Sequence, residues 1–230
     1  MSEAIIPINV ILASKSPRRK QLLEEAGVHF VVYTGTTEVD ESLEPDVMAD
    51  PSEAVKKLAE RKAGAVVQDI LAQSPVGLGI VIGADTTVVL DGEMLGKPYS
   101  ADHAREMLSR LSGRTHEVIT GVSVWFVMLN EKEENGGDGN VSVGFRSFSE
   151  SSLVTFKTLS KQNIDDYVAT GETIDKAGAY GIQGKGGELV EKLEGDFDNV
   201  VGLPVGTLLK NFPDLMKTHL EAQTTPPEQA

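Results

Sequence analysis

Two small hydroxyl residues and two arginines fall within the six positions Ser14-Lys15-Ser16-Pro17-Arg18-Arg19. The string follows a short apolar run, Val10-Ile11-Leu12-Ala13, and precedes a helical pattern in which Leu22, Leu23 and Ala26 share a face. Ser16 fits the N-cap of that helix and Pro17 its first position. A helix start leaves backbone N–H groups without intrahelical partners and carries the positive end of the dipole, so it suits an anion. Small side chains admit phosphate oxygens closely, and guanidinium forks bind them in pairs. The same string also fits a plain capped helix with a solvated basic turn, and pattern alone does not choose. No G-x-x-x-x-G-K-[ST] string occurs and no G-x-G-x-x-G follows a strand, so neither a Walker-type loop nor a dinucleotide-binding turn is supported.

Other candidates are dispersed. Gly83-Ala84-Asp85-Thr86 breaks an apolar run that resumes as Val88-Val89-Leu90. A carboxylate there is costly to bury unless paired or metal-bound, and such groups cluster at functional sites; an Asp bonding backbone amides at a strand end is the plain alternative. Lys62 lies on the apolar face of an expected helix, where it serves a site or snorkels to water. Lys97 precedes Pro98 after a turn, which also describes an ordinary surface lysine. Asp40 and Glu41, in an acidic loop from Asp40 to Asp50, form a metal-ligand pair or part of a solvated acidic surface. In Asp175–Gly184 the dense glycines admit a ligand close to the backbone, and Gln183 has the donor and acceptor needed to read a base edge. The histidines lack metal-ligand spacing: His29, His103 and His219 read as structural or surface, and His116 as making a turn hydrogen bond.

These residues need a scaffold of alternating strands and helices. Strands are expected at Val10–Ala13, Val28–Thr34, Gly79–Leu90, His116–Leu129, Ser149–Leu159 and Leu189–Leu193, with Asp91-Gly92 as a hairpin turn. A long helix is capped by Asp50, opened by Pro51 and given a capping box by Glu53; its inward stripe is Val55, Leu58, Ala59, Lys62, Ala63 and Val66. A second runs from Ser100 to Leu111 with Ala104, Met107, Leu108 and Leu111 inward and Gly113 as its stop. Ser160 caps a short helix through Val168, and Pro204 opens a last one ending near Leu215. Asn130–Asn140 reads as a flexible hairpin tip, Gly178–Gly187 as an irregular loop, and the Gln/Thr/Pro-rich stretch from Glu221 as disordered.

Composition narrows the partners. The 230 residues carry 21 Lys+Arg against 35 Asp+Glu, and the net charge of -14 opposes binding to DNA or RNA. The absence of cysteine removes thiolate metal sites and thiol nucleophiles. No apolar run reaches the roughly 18 residues of a membrane span, and Met1–Pro7 has Glu3 but no basic residue, so no leader, no membrane partner and a cytoplasmic setting are expected.

In combination the strings resemble the Maf family of nucleotide pyrophosphatases, from about Val10 to about Leu215. The resemblance rests on Leu12-Ala13-Ser14-x-Ser16-Pro17-Arg18-Arg19, Val39-Asp40-Glu41, Ala59-x-x-Lys62-Ala63, Gly83-Ala84-Asp85-Thr86, Gly96-Lys97-Pro98 and Leu108-x-x-Leu111-Ser112-Gly113. It continues through His116-x-Val118-x-Thr120-Gly121, Asp175–Gln183 and Val200-Val201-Gly202-Leu203-Pro204. It implies an α/β, Maf/inosine-triphosphatase-like elongated fold: a mixed curved sheet flanked by helices, with a ligand cleft between two lobes. One domain would span 8–218, with a tail at 219–230.

The implied reaction splits a nucleoside triphosphate between its α- and β-phosphates, with a divalent metal, Mg²⁺ or Mn²⁺. Asp85 matches the catalytic acid, and Lys62, Lys97 and Arg19 join it. Ser14, Ser16, Arg18, Thr86, Lys176 and Gln183 form the implied substrate-binding set, and Glu41 and Asp85 the metal ligands. Arg18, Thr86 and Gln183 match positions tied to substrate choice and resemble the subfamily acting on dTTP and UTP. The alternatives are the sister specificity for 7-methyl-GTP and a nucleotide-binding regulator of cell division. A homodimer is the oligomeric expectation.

Overall fold

The computed structural model describes residues 8–36, 39–72, 77–129 and 141–219. The hairpin tip expected at Asn130–Asn140 and the tail beyond 219 lie outside the described residues.

The apolar run before Ser14 becomes strand β1 (Ile8–Leu12), flanked in parallel by β2 (Val31–Val32) and β3 (Gly77–Leu90). The chain then builds antiparallel: β5 (Thr115–Leu129), β6 (Val141–Phe156) and β7 (Val190–Glu194) complete the order β2-β1-β3-β5-β6-β7. Strand β4 (Glu93–Leu95) folds back on β3 through Asp91 and Gly92, whose φ values of 54° and 81° match a type I′ hairpin turn.

This topology makes the opening that holds the site. β1 pairs with Leu78–Ile82 and β4 with Val88–Leu90. Between those two partners, Gly83–Thr87 has its strand ladder only with β5. Asp85 therefore sits where the sheet parts.

The long helix α3 (Pro51–Ala72) lies across β3 and β5 and buries Ala54, Val55, Ala59, Ala63, Val66 and Val67. Two glycines let its backbone seat directly on the sheet. A Cβ at Gly83 would stand 2.5 Å from the Ala59 carbonyl oxygen, and one at Gly121 would stand 2.4 Å from the Val55 carbonyl carbon. Asp50 caps the helix through the N–H groups of Ser52 and Glu53. The expected capping box does not form. A helical turn, α2 (Pro45–Met48), precedes it, and the Asp50 N–H donates to the Val47 carbonyl while Glu53 pairs with Lys56.

Two apolar cores flank the opening. One joins Leu12, Ile82, Leu203 and Leu208 with Leu23 of α1 (Pro17–Glu25), against α7 (Val205–Asn211). The other joins Leu90 and Phe156 with Leu108 of α4 (Ala101–Leu111) and Tyr167 of α5 (Lys161–Ala169). The inward set of α4 is Ala104, Met107, Leu108 and Leu111, as its spacing predicts.

Several expected boundaries move. Val28, just past the end of α1, turns its N–H back to the Leu23 carbonyl, and β2 has only two residues. β6 stops at Phe156 because Lys157 turns its N–H to Leu189. The glycine-rich loop contains 3₁₀ turns at Ala177–Ala179 and Gly184–Leu189. The last expected helix ends at Asn211, ahead of a 3₁₀ segment opened by Pro213. Two short helices are unanticipated: α2, inside the expected acidic loop, and α6 (Phe197–Val201), capped by the Asp196 side chain. No helix among the described residues is long and apolar enough to cross a membrane.

Candidate active site

The start of α1 forms one wall. Ser16 caps the helix by accepting the Arg19 N–H at 3.4 Å. Ser14 Oγ accepts the Ser16 N–H at 3.2 Å and Arg19 Nη1 at 3.3 Å. Arg19 also donates through Nε to the Gly202 carbonyl at 2.7 Å and through Nη2 to Thr86 Oγ1 at 3.1 Å. Burial lowers the Arg19 pKa; Asp85 opposes that effect and Arg18 adds to it. The group stays a cation, since a guanidinium starts far above neutral pH.

The floor is a charge cluster. Lys62 reaches from α3 to Asp85 Oδ1 at 2.5 Å and Glu41 Oε1 at 2.7 Å. The Lys62 hydrogen bond holds the Glu41 carboxyl below its usual value against the opposing effect of burial, and the charges of Lys62 and Lys97 pull the same way. Lys97 is exposed on the cleft wall, near enough for that influence. Asp40 lines the same cleft but does not share the Lys62 contact of Glu41. Its carboxylate closes a turn on the Ser42 N–H and hydroxyl at 2.9 and 2.8 Å. The Arg61 guanidinium holds the carbonyls of Asp40 and Ser42, on either side of Glu41.

The glycine-rich loop supplies the facing wall. Lys176 Nζ donates to the Glu172 carbonyl at 2.6 Å and to Asp175 Oδ1 at 2.7 Å. Asp175 also lies 3.6 Å from Arg18 Nη1, linking this loop to α1. Burial raises the Asp175 carboxyl, but Lys176 and Arg18 outweigh it and leave the group below its ordinary value. Tyr167 Oη accepts the Gly181 N–H at 3.2 Å, which steadies the turn before Gln183.

The structure brings every site residue expected from the sequence, from Ser14 to Gln183, onto one cleft of about 1100 Å³. Val201 from one apolar core and Val88, Val118 and Tyr180 from the other complete its lining. His116 departs from expectation. It makes no turn bond; its Nε2 lies 2.7 Å from Tyr180 Oη inside the second core, and burial lowers its pKa to about 4. Sequence reasoning gave no role to Arg61 or Asn199, nor to Thr120, which it met only inside the string His116-x-Val118-x-Thr120-Gly121. Thr120 bonds the Thr86 hydroxyl at 2.9 Å, and Asn199 is wholly buried in α6. The nearest signal to Asn199 is the string Val200-Val201-Gly202-Leu203-Pro204, which begins one residue after it.

Among the described residues no group of three or more His, Cys, Asp or Glu side chains gathers as a metal cage. Two carboxylates, Glu41 and Asp85, do converge on the cleft. Mg²⁺ commonly takes one or two carboxylates and completes its shell with phosphate oxygens and water, so this donor set fits such an ion.

The family model described as Maf-like protein matches residues 9–215. A Bacillus velezensis protein named dTTP/UTP pyrophosphatase is 46% identical over 201 residues, covering 87% of this chain and 93% of that protein. Proteins of the same name from Clostridioides difficile and Bacillus cereus are 45% and 44% identical, covering 89% and 91% of this chain and 95% and 98% of their own lengths.

Proposed function

The chain belongs to the Maf family, and on that premise we propose that it hydrolyses dTTP and UTP to the nucleoside monophosphate and pyrophosphate, with modified pyrimidine nucleotides as further substrates. The observation that carries this reading is Lys62, which ties Asp85 and Glu41 together within the cleft that also holds Arg19. A general acid–base group and cations for polyphosphate share one site there.

The chemistry follows from the charge. A triphosphate bears about four negative charges, which hinder attack by any nucleophile, so catalysis is mostly positioning and charge stabilisation. Ser14, Ser16 and the start of α1 seat the phosphates. Asp85 takes a proton from the water that attacks the α-phosphorus. The bond from that phosphorus to the bridging oxygen breaks, and pyrophosphate leaves with the electron pair. Arg18, Arg19, Lys62 and Lys97 stabilise the growing charge. Lys176 and Gln183 form the loop side of the cleft, where Gln183 reads the base. Glu41 and Asp85 would hold Mg²⁺ or Mn²⁺, which when bound neutralises phosphate charge and orients the attacking water. A cytoplasmic setting, where nucleotide pools are found, accompanies this reading.

The test is a panel of nucleoside triphosphates with Mg²⁺ or Mn²⁺, read as pyrophosphate released. dTTP and UTP should give the highest kcat/KM. Preference for 7-methyl-GTP would overturn the substrate assignment. Binding without turnover on any nucleotide would replace the enzyme with a regulator.

A further inference from the structure

We infer that Thr120 and Asn199 are positioning residues for Arg19, joined to it by a hydroxyl relay whose protons have only one arrangement. Thr120 Oγ1 donates to the Asn199 backbone carbonyl at 2.8 Å. A carbonyl cannot donate, so the single Thr120 proton is committed there. Thr86 Oγ1 lies 2.9 Å from Thr120 Oγ1 and must therefore be the donor of that pair. Its oxygen then accepts Arg19 Nη2 at 3.1 Å.

The relay runs one way, from the guanidinium through two threonines to helix α6. The same helix region holds Arg19 a second time, because the Gly202 carbonyl accepts Nε at 2.7 Å. With Ser14 on Nη1, three of the five guanidinium N–H donors are committed and two remain for phosphate oxygens. α6 is itself pinned. Asn199 Nδ2 donates to the Val118 carbonyl at 3.0 Å and to Ser152 Oγ at 2.9 Å, and Ser152 Oγ exchanges bonds with the Asp196 backbone. Thr120 and Asn199 are both wholly buried, where water cannot replace a lost partner.

Thr86 spends its only proton on Thr120, so it has no donor to offer a phosphate or a base carbonyl. Any influence of Thr86 on the substrate passes through Arg19 or through its lone pairs.

This inference rests on the reading of Arg19 as a phosphate ligand, and a double-mutant cycle separates the two. Thr120→Val removes the hydroxyl at nearly constant volume. It should lower kcat/KM for dTTP about tenfold, and Thr120→Ser, which keeps the hydroxyl, should stay within about twofold of the parent. In an Arg19→Lys background, which has no Nη2, Thr120→Val should cost less than about twofold more. Equal losses in both backgrounds, or equal losses for the Val and Ser variants, would overturn the relay. Full activity of Arg19→Lys alone would sink the reading of Arg19, and the relay with it. If Thr120→Val does not fold, Thr86→Val breaks the chain one link nearer the cleft, and its cost should likewise vanish in the Arg19→Lys background.

Discussion

Lys62 Nζ lies 2.5 Å from Asp85 Oδ1, joining the middle of α3 to the part of β3 where the sheet opens. The same ammonium holds Glu41 at 2.7 Å. Without a cation between them the two carboxylates would repel at short range. The lysine thus gathers the two acids while the rest of the cleft supplies positive charge for phosphates.

Asp85→Asn tests the acid directly. Asparagine keeps the shape and an acceptor for Lys62 but cannot take a proton at neutral pH. Nucleotide affinity by calorimetry should change by no more than about threefold, while turnover should fall on the order of 10²- to 10⁴-fold. Near-parental pyrophosphate release would remove Asp85 from the chemistry.

Gly121 and Gly83 set how closely α3 approaches the sheet, and so where Lys62 stands. At Gly121 an added methyl would also lie 2.5 Å from the Lys56 nitrogen, a contact that only helix displacement relieves. Gly121→Ala should cost about 1–3 kcal/mol in denaturant unfolding, and activity should fall further than stability as Lys62 leaves Asp85. Gly144→Ala on β6, where the added methyl meets nothing within 4 Å, is the control and should be close to neutral.

Arg61 offers a milder lever. Its side chain clasps the carbonyls on either side of Glu41 while touching neither Glu41 nor Asp85. Arg61→Met should leave the melting temperature within about 3 °C, as expected for a surface change, and lower kcat/KM roughly tenfold by loosening the loop. Unchanged kinetics would show that the loop keeps its shape without the clasp.

Gln183 should separate specificity from rate. Gln183→Ala is expected to reduce the preference for dTTP and UTP over purine triphosphates by about 10-fold or more while leaving the best turnover within a few-fold, because an unmet hydrogen bond discriminates strongly. A parallel fall on all nucleotides would place Gln183 in phosphate chemistry instead.

The parts of this site legible from sequence were those with local signatures. Ser16 and Pro17 announce a helix start, Asp91-Gly92 a hairpin, and Asp85 an acid inside an apolar run. Each is a contrast between neighbouring residues. Arg61, Thr120 and Asn199 carry no such contrast. Arg61 is one more charge on a helix surface, Thr120 is an ordinary strand residue, and Asn199 lies in a five-residue helix too short for periodicity to register. Their importance comes from partners 19 to 81 positions away in the chain, which only the sheet register brings together. The capping box at Glu53 failed for a related reason: the N–H it needed was taken by the preceding turn, a competition that a four-residue motif does not reveal.

His116 provides a test of the second core. It is 2% exposed, with Tyr180 on Nε2 and the rings of Phe156 and Tyr180 edge-on at 5.0 and 5.3 Å. Its Nδ1 has no hydrogen-bond partner in this apolar setting. Burial disfavours the imidazolium and brings the folded-state value to about 4 from 6.5. Between those values the unfolded chain binds the proton and the folded one does not, so stability falls as pH drops through that window. The contribution is fully present above about pH 6.5 and is lost progressively toward pH 4, on the order of 3 kcal/mol in all. Carboxylates held low by cations, such as Glu41, act in a separate range, because they lose stability only as pH falls below their unfolded value of 4.5. Melting temperatures of the parent and His116→Gln should therefore converge as pH falls from 6.5 to 4, since the variant has no imidazole to charge. Parallel curves across that window would mean that burial does not lower the His116 pKa in the folded protein.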